Sequence, residues 1–211
     1  MYTLYYQPGA ASLVVHLALL EIGAPHQLHK VELPVDPKRD AEYLRLNPRG
    51  QVPTLIIDGQ PYFESAALLM TLADRHVEAH LAPAPNSPLR PAYYQWIMFL
   101  ATALGAPFRQ HFYPPDLGHE ELPPTVGNAL RRKIEAGFDL LNEHLSAHGP
   151  YMLGTDFSAV DLLAIMYMRW SRNLPKPATA WPALKTYADR MRTRPSWKKL
   201  YEIEGLTEWA A

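Results

Sequence analysis

Residues 47–55 read NPRGQVPTL and run straight into Ile56 and Ile57. Two prolines and a glycine crowd the entrance to an apolar segment that reads as a buried strand. Proline offers no main-chain N–H to a strand ladder, so Pro53 is out of place at the mouth of an ordinary core strand. Either it is a plain turn residue, or the main chain beside it is kept for a partner other than the ladder.

Reading outward, PTLII (53–57), then Asp58-Gly59, then PYFE (61–64) form a hairpin with Asp58-Gly59 at its turn. SAALLMTLADRH (65–76) follows as a helix beginning at Ser65. Upstream, YTLYY (2–6) is a strand and QPGAAS breaks it. SLVVHLALLEIG (12–23) is a helix with Ser12 at its N-cap and Gly23 at its stop. HQLHKVEL (26–33) alternates as a strand, and RDAEYLRLN (39–47) is a short helix. Residues 1–76 therefore form an α/β domain of order β-α-β-α-β-β-α.

Residues 77–88 contain three prolines and no periodicity, and read as a linker. Residues 89–211 read as an all-helical domain. Helical segments cover 88–104, 125–149, 158–173, 181–195 and 196–205. In the second of these Leu130, Ile134, Phe138, Leu141 and Leu145 recur three or four residues apart. The third is apolar over most of its circumference and is therefore buried. Ser158 and Asp161 open it as S-x-x-D, a capping box assigned to folding rather than chemistry.

Composition narrows the function classes. The 211 residues carry a net charge of -1, with both signs spread along the chain. That leaves no footprint for nucleic acid and no polybasic patch for a membrane surface. The longest apolar runs fall short of a membrane span. No lysine or arginine precedes Lys30, so a secretory leader is not expected and a soluble cytoplasmic protein is. The absence of cysteine excludes disulfides, thiolate metal sites and a cysteine nucleophile supplied by the chain. His76/His80 and His144/His148 have i,i+4 spacing but lack a third ligand nearby, so no metal is expected.

A small β-α-β-α-β-β-α domain followed by a helical one resembles the soluble glutathione S-transferases. Three stretches carry the resemblance over nearly the whole chain: NPRGQVPTLIIDG (47–59) with FES (63–65), GTDFSAVDLLA (154–164), and LYYQPGAAS (4–12). It is most similar to the bacterial beta-type branch. The resemblance implies a thioredoxin-like first domain, a second domain that forms the electrophile pocket, glutathione as co-substrate and a homodimer. It also implies that Pro53 follows a cis bond, which turns the Val52 N–H and C=O toward the main chain of glutathione, as in strand addition. Glutathione would then be held by Gln51, Val52, Pro53, Glu64 and Ser65. Ser65, at a helix start, suits the γ-glutamyl carboxylate, and Glu64 suits the α-amine.

The implied activity is conjugation of the glutathione thiolate to apolar electrophiles, or peroxide reduction. The alternative is a weakly catalytic or non-catalytic carrier of glutathione or apolar ligands, or a protein-interaction module on the same fold. The beta-type cysteine position is Ala11 here, so another group must favour the thiolate. Ser12 ranks first, the main-chain N–H groups of Ala11 and Ser12 second, and Tyr6 third. Polar residues that beta-type members carry on the first long helix are replaced by Met98, Gly105 and Ala106, which makes the pocket more apolar. Phe108, Arg109, His111, Tyr113, Tyr167 and Trp170 are its candidate lining, with core packing as the competing role for the aromatic residues.

Overall fold

The computed structural model describes residues 1–38 and 40–209. Arg39, the first residue of the helix expected over 39–47, and Ala210 and Ala211, at the end of the expected helical domain, lie outside the described residues. Packing divides the described residues into two units. Among the described residues one unit is 1–82 with 192–209, and the other is Pro83–Met191.

The first unit runs β1 (Tyr2–Tyr6), α1 (Leu13–Ile22), β2 (His26–Lys30), α2 (Ala41–Leu46), β3 (Thr54–Ile57), β4 (Gln60–Phe63) and α3 (Ser65–Arg75). The sheet order is β2-β1-β3-β4, with β1 parallel to β2 and antiparallel to β3, and β3 antiparallel to β4. Asp58 and Gly59 both have positive φ, 52° and 79°, as a two-residue hairpin turn requires. Pro61 falls on the edge strand β4, where a missing N–H does no harm to the sheet. Leu4, Leu55 and Ile57 face the core, and α1 packs against α3 and the last helix, α9.

In the second unit α4 (Arg90–Phe99) passes through a π-helical turn (Leu100–Gly105) into α5 (Ala106–Phe112). The sequence expects one plain helix over 88–104. Pro107 supplies the physical reason: it lacks an N–H and its ring crowds the carbonyl four residues back, at Ala103, and a widened turn relieves both. Then come α6 (Pro124–His148), α7 (Ala159–Trp170) and α8 (Pro182–Arg192). The Ser158–Asp161 capping box forms at α7, with Ser158 N–H donating to Asp161 Oδ2 at 2.8 Å. Phe138, Leu163, Ile165, Leu184 and Tyr187 fill the core of this unit.

Helix α9 (Pro195–Glu204) packs with the first unit, whereas the sequence division placed it in the helical domain. The cause is specific pairing with α1. Arg194 makes a two-pronged ion pair to Glu21 at 2.6 and 2.8 Å, and Trp197 and Leu200 are buried. The expected linker holds a short 3-10 turn, Val77–Ala79.

Candidate functional site

The strand register gathers the sequence motifs at one end of the sheet. Thr54 pairs with Tyr5 on one side and with Phe63 on the other. The end of β1, the start of β3 and the end of β4 therefore lie side by side. Tyr6, Pro53 and Glu64 each follow or precede those paired residues by one position. Helix α3 starts at Ser65, from that same end.

The Val52–Pro53 bond is cis. The ladder to β1 begins at Thr54, so the main-chain groups of Val52 lie beyond it. Val52 is buried and packs in a small cluster with Val31 and Tyr43, against Tyr5, Ala10, Leu33, Val35 and Leu46. Gln51 is half-buried.

Glu64 occupies φ 75°, ψ 102°, a region that residues with a side chain rarely adopt. It stands at the N-cap of α3 and makes no side-chain cap bond, and its carbonyl accepts the Leu68 N–H. Its carboxylate is exposed and paired with Arg49 at 2.5 Å. Ser65 is the first helical residue rather than the cap, and is half-buried. A carboxylate, a hydroxyl and a free helix start thus sit in consecutive positions.

The Gln7–Ser12 turn is tightly built. Ser12 Oγ accepts the Gln7 N–H and donates to the Gln7 carbonyl, both at 3.1 Å, and Ser12 is wholly buried. Ser12 stands at the N-cap of α1 with helical backbone angles and no side-chain cap bond. Its hydroxyl closes the turn instead of facing the helix. Ala10 N–H donates to Gln7 O and Leu13 N–H to Ala10 O. Among the described residues the N–H groups of Ala11 and Ser12 have no acceptor. Gly9, at φ 69°, donates its N–H to Glu204 Oε2 at 2.8 Å. Tyr6 is half-buried and meets the His16 ring edge-on, 6.1 Å between centroids.

In the second unit Phe108 is fully buried and Tyr167 nearly so, stacked at 6.1 Å with Trp170 edge-on to both. These two aromatic rings are core residues. Arg109 makes a two-pronged bond to Asp116 at 2.6 and 3.1 Å and lies 3.6 Å over the Tyr113 ring. His111 is half-buried with Nδ1 unpartnered among the described residues, and burial, then the Arg131 charge, holds its pKa down. Of the i,i+4 histidines, His76 bonds the Tyr2 hydroxyl at 2.9 Å, and His144 donates to the Met152 carbonyl at 2.9 Å.

Two side chains that the sequence reading left out bear on the Gln51–Val52 segment. Tyr43 and Asn47 both donate to the Gln51 carbonyl, at 2.5 and 2.8 Å. The asparagine that opens NPRG was the available signal. The tyrosine, on a short helix, carried none.

Residues 10–75 match the family model for the glutathione S-transferase N-terminal domain, and residues 108–195 match the model for the C-terminal domain. The chain is 30% identical to glutathione S-transferase GstA of Escherichia coli O157:H7, over 96% of this chain and 98% of that one. Among solved structures, the ternary complex of BphK, a bacterial transferase of this kind, superposes with a TM-score of 0.87 at 30% identity, covering 97% of this chain and all (100%) of the other. A sphingomonad glutathione S-transferase complexed with glutathione superposes at 0.86 with 28% identity, covering 97% and 100%.

Proposed function

The chain belongs to the glutathione S-transferase family, and we propose that it converts bound glutathione to its thiolate for attack on apolar electrophiles or peroxides. It is a glutathione transferase with glutathione as co-substrate. The observation that carries the mechanism is the convergence of the Gln7–Ser12 turn, the Val52–Pro53 cis bond and Glu64–Ser65 at one end of the sheet.

In this reading the peptide main chain of glutathione adds to Val52 as a short strand. Its γ-glutamyl carboxylate meets the start of α3 and the Ser65 hydroxyl, and its α-amine meets Glu64. Pro53 keeps the ladder away from Val52, and Gln51 reaches the same head group.

Glutathione's thiol titrates near 8.5, and lowering that by two units takes about 2.7 kcal/mol. A helix start supplies about 0.3–1 kcal/mol, and up to ~2 when partly buried. A direct hydrogen bond to the charge adds about 1.5–3 kcal/mol. Main-chain donors at the start of α1 that bond the sulfur directly supply stabilisation of that order, about 1.5–3 kcal/mol, the helix-start effect acting through those same N–H groups. The N–H groups of Ala11 and Ser12 are the best-supported donors, because the Ser12 hydroxyl is already engaged with Gln7 on both sides. Tyr6 ranks after them.

The thiolate sulfur then forms the C–S bond while the leaving group departs with its electron pair, and holding the two reactants together supplies much of the rate. With a peroxide, two glutathiones are oxidised to the disulfide as the O–O bond is reduced to alcohol and water. For the electrophile's apolar part the half-buried Trp170 is the candidate support, backed from the core by the buried Phe108 and Tyr167, with Arg109, His111 and Tyr113 as its polar border. A cytoplasmic homodimer completes the reading, and light scattering on the purified protein tests the dimer.

Calorimetric titration with glutathione tests the site. Micromolar to low-millimolar binding, lost in the double variant Glu64→Ala/Ser65→Ala, is expected. Binding that survives that double variant overturns the head-group assignment. No conjugation of an aryl halide by a protein that binds glutathione would favour the carrier alternative.

A further inference from the structure

The Gln51 carbonyl receives two hydrogen bonds, from the Tyr43 hydroxyl at 2.5 Å and from Asn47 Nδ2 at 2.8 Å. The same two side chains reach Thr54 Oγ1, at 2.9 and 3.1 Å. The directions of these bonds follow from the donor inventory. Tyr43 has a single proton and gives it to Gln51, so it accepts the Thr54 proton. Asn47 has two N–H groups, one for Gln51 and one for Thr54. Every donor in the ring is used, and Asn47 and Thr54 are 1% and 0% exposed. Burial also pushes the Tyr43 pKa up, which keeps it a neutral donor. The Asn47 carbonyl groups are occupied as well: Oδ1 accepts the Arg49 N–H at 3.1 Å, and the main-chain O accepts the Gly50 N–H at 3.0 Å.

A peptide unit is planar, and in a trans unit the C=O and N–H point opposite ways. The Gln51 carbonyl and the Val52 N–H belong to one such unit. Two donors fixed on the carbonyl therefore fix the direction of the Val52 N–H, away from Tyr43 and Asn47. Thr54, paired in the ladder with Tyr5, anchors the far end of the segment.

We propose that Tyr43 and Asn47 are positioning residues for glutathione, holding the Gln51–Val52 peptide plane so that the Val52 N–H is already aimed at the ligand. This rests on the reading of Val52 as the main-chain partner of glutathione. Neither side chain touches the ligand in this scheme. Their effect is to raise the fraction of molecules whose peptide plane is competent to bind.

The test compares wild type, Tyr43→Phe and Asn47→Ala. Each is titrated with glutathione and with an analogue whose cysteinyl carbonyl is reduced to a methylene and so cannot accept from Val52. Unfolding midpoints are recorded alongside. Tyr43→Phe keeps the ring in its cluster, and Asn47→Ala is the independent second variant. The expected result is a glutathione Kd and KM raised about tenfold in each variant, as a smaller competent fraction divides the affinity. The value of kcat at saturating glutathione stays as in wild type. The analogue binds wild type more weakly than glutathione does, and the variants narrow that difference. A lowered midpoint with an unchanged glutathione KM overturns the proposal and leaves the ring a purely structural feature. If wild type binds analogue and glutathione equally, the Val52 pairing itself fails, and the proposal falls with it by a distinguishable route.

Discussion

His16 and Glu204 stand 188 positions apart and meet at 2.8 Å, Nδ1 to Oε1, with both side chains fully buried. The other carboxylate oxygen of Glu204 takes the Gly9 N–H at 2.8 Å. One buried carboxylate thus ties the last helix to the middle of α1 and to the Gln7–Ser12 turn. Removing Glu204 takes the hydrogen-bond partner from His16 Nδ1 and the acceptor from the Gly9 N–H, and a buried polar group left without its partner costs about 1–3 kcal/mol. Glu204→Ala is expected to lose that much in urea unfolding and to speed amide exchange at Gly9. A loss below about 1 kcal/mol, the scale of an exposed pair, would show that α9 is held by its apolar face alone.

Ser12→Ala separates folding from thiol activation. Its hydroxyl bridges the N–H and C=O of Gln7, and leaving such buried groups unpaired costs about 1–3 kcal/mol. The variant is expected to lose stability on that scale while the pKa of bound glutathione, followed by thiolate absorbance, stays put. Tyr6→Phe is expected to leave that pKa unchanged too. A clear rise in Ser12→Ala would return the hydroxyl to first rank as activator.

Asp161 links stability to pH. It accepts from Met152 N–H, Ser158 N–H, the Ser158 hydroxyl and the Tyr187 hydroxyl, yet burial outweighs them and pushes it from 3.8 up to about 6. A carboxyl with a raised folded pKa binds its proton more tightly in the folded state. Its contribution is fully present below about 4 and is lost as pH rises through about 6. The stability of wild type relative to Asp161→Asn should fall by roughly 3 kcal/mol across that window. Urea unfolding at half-unit pH steps measures it, and a difference that rises with pH instead would mean the four donors dominate.

Local signals were legible in the sequence and remote ones were not. Asp58-Gly59 announced the hairpin because both positions need positive φ, and Ser158 with Asp161 announced the start of α7 because both cap bonds lie within four residues. NPRGQVP and FES located the candidate site for the same reason. The place of α9 was hidden, since no local pattern in Pro195–Glu204 reveals Glu21 and His16 as its partners. The π turn was hidden because a shift from four to five residues per bond barely alters apolar spacing. The direction of the Ser12 hydroxyl depended on how the preceding turn folds back. Tyr43 acts through a neighbour eight positions away, across a loop.

Gly149 offers a test of why a helix ends where it does. It follows α6, but its φ of -53° is ordinary and would suit any residue. The constraint is steric: a Cβ there would sit 2.6 Å from the Leu145 carbonyl oxygen, a main-chain atom fixed by the last turn. The Gly149 N–H donates to that same oxygen at 3.0 Å, so relief by moving apart would break the bond that closes the helix. Gly149→Ala is therefore expected to destabilise by about 1–3 kcal/mol, as for an overpacked core site. Amide exchange at Gly149 should rise with it. A host position limited only by backbone entropy would instead gain about 0.4–1 kcal/mol from the same substitution. The sign of the change in urea unfolding decides between the two accounts.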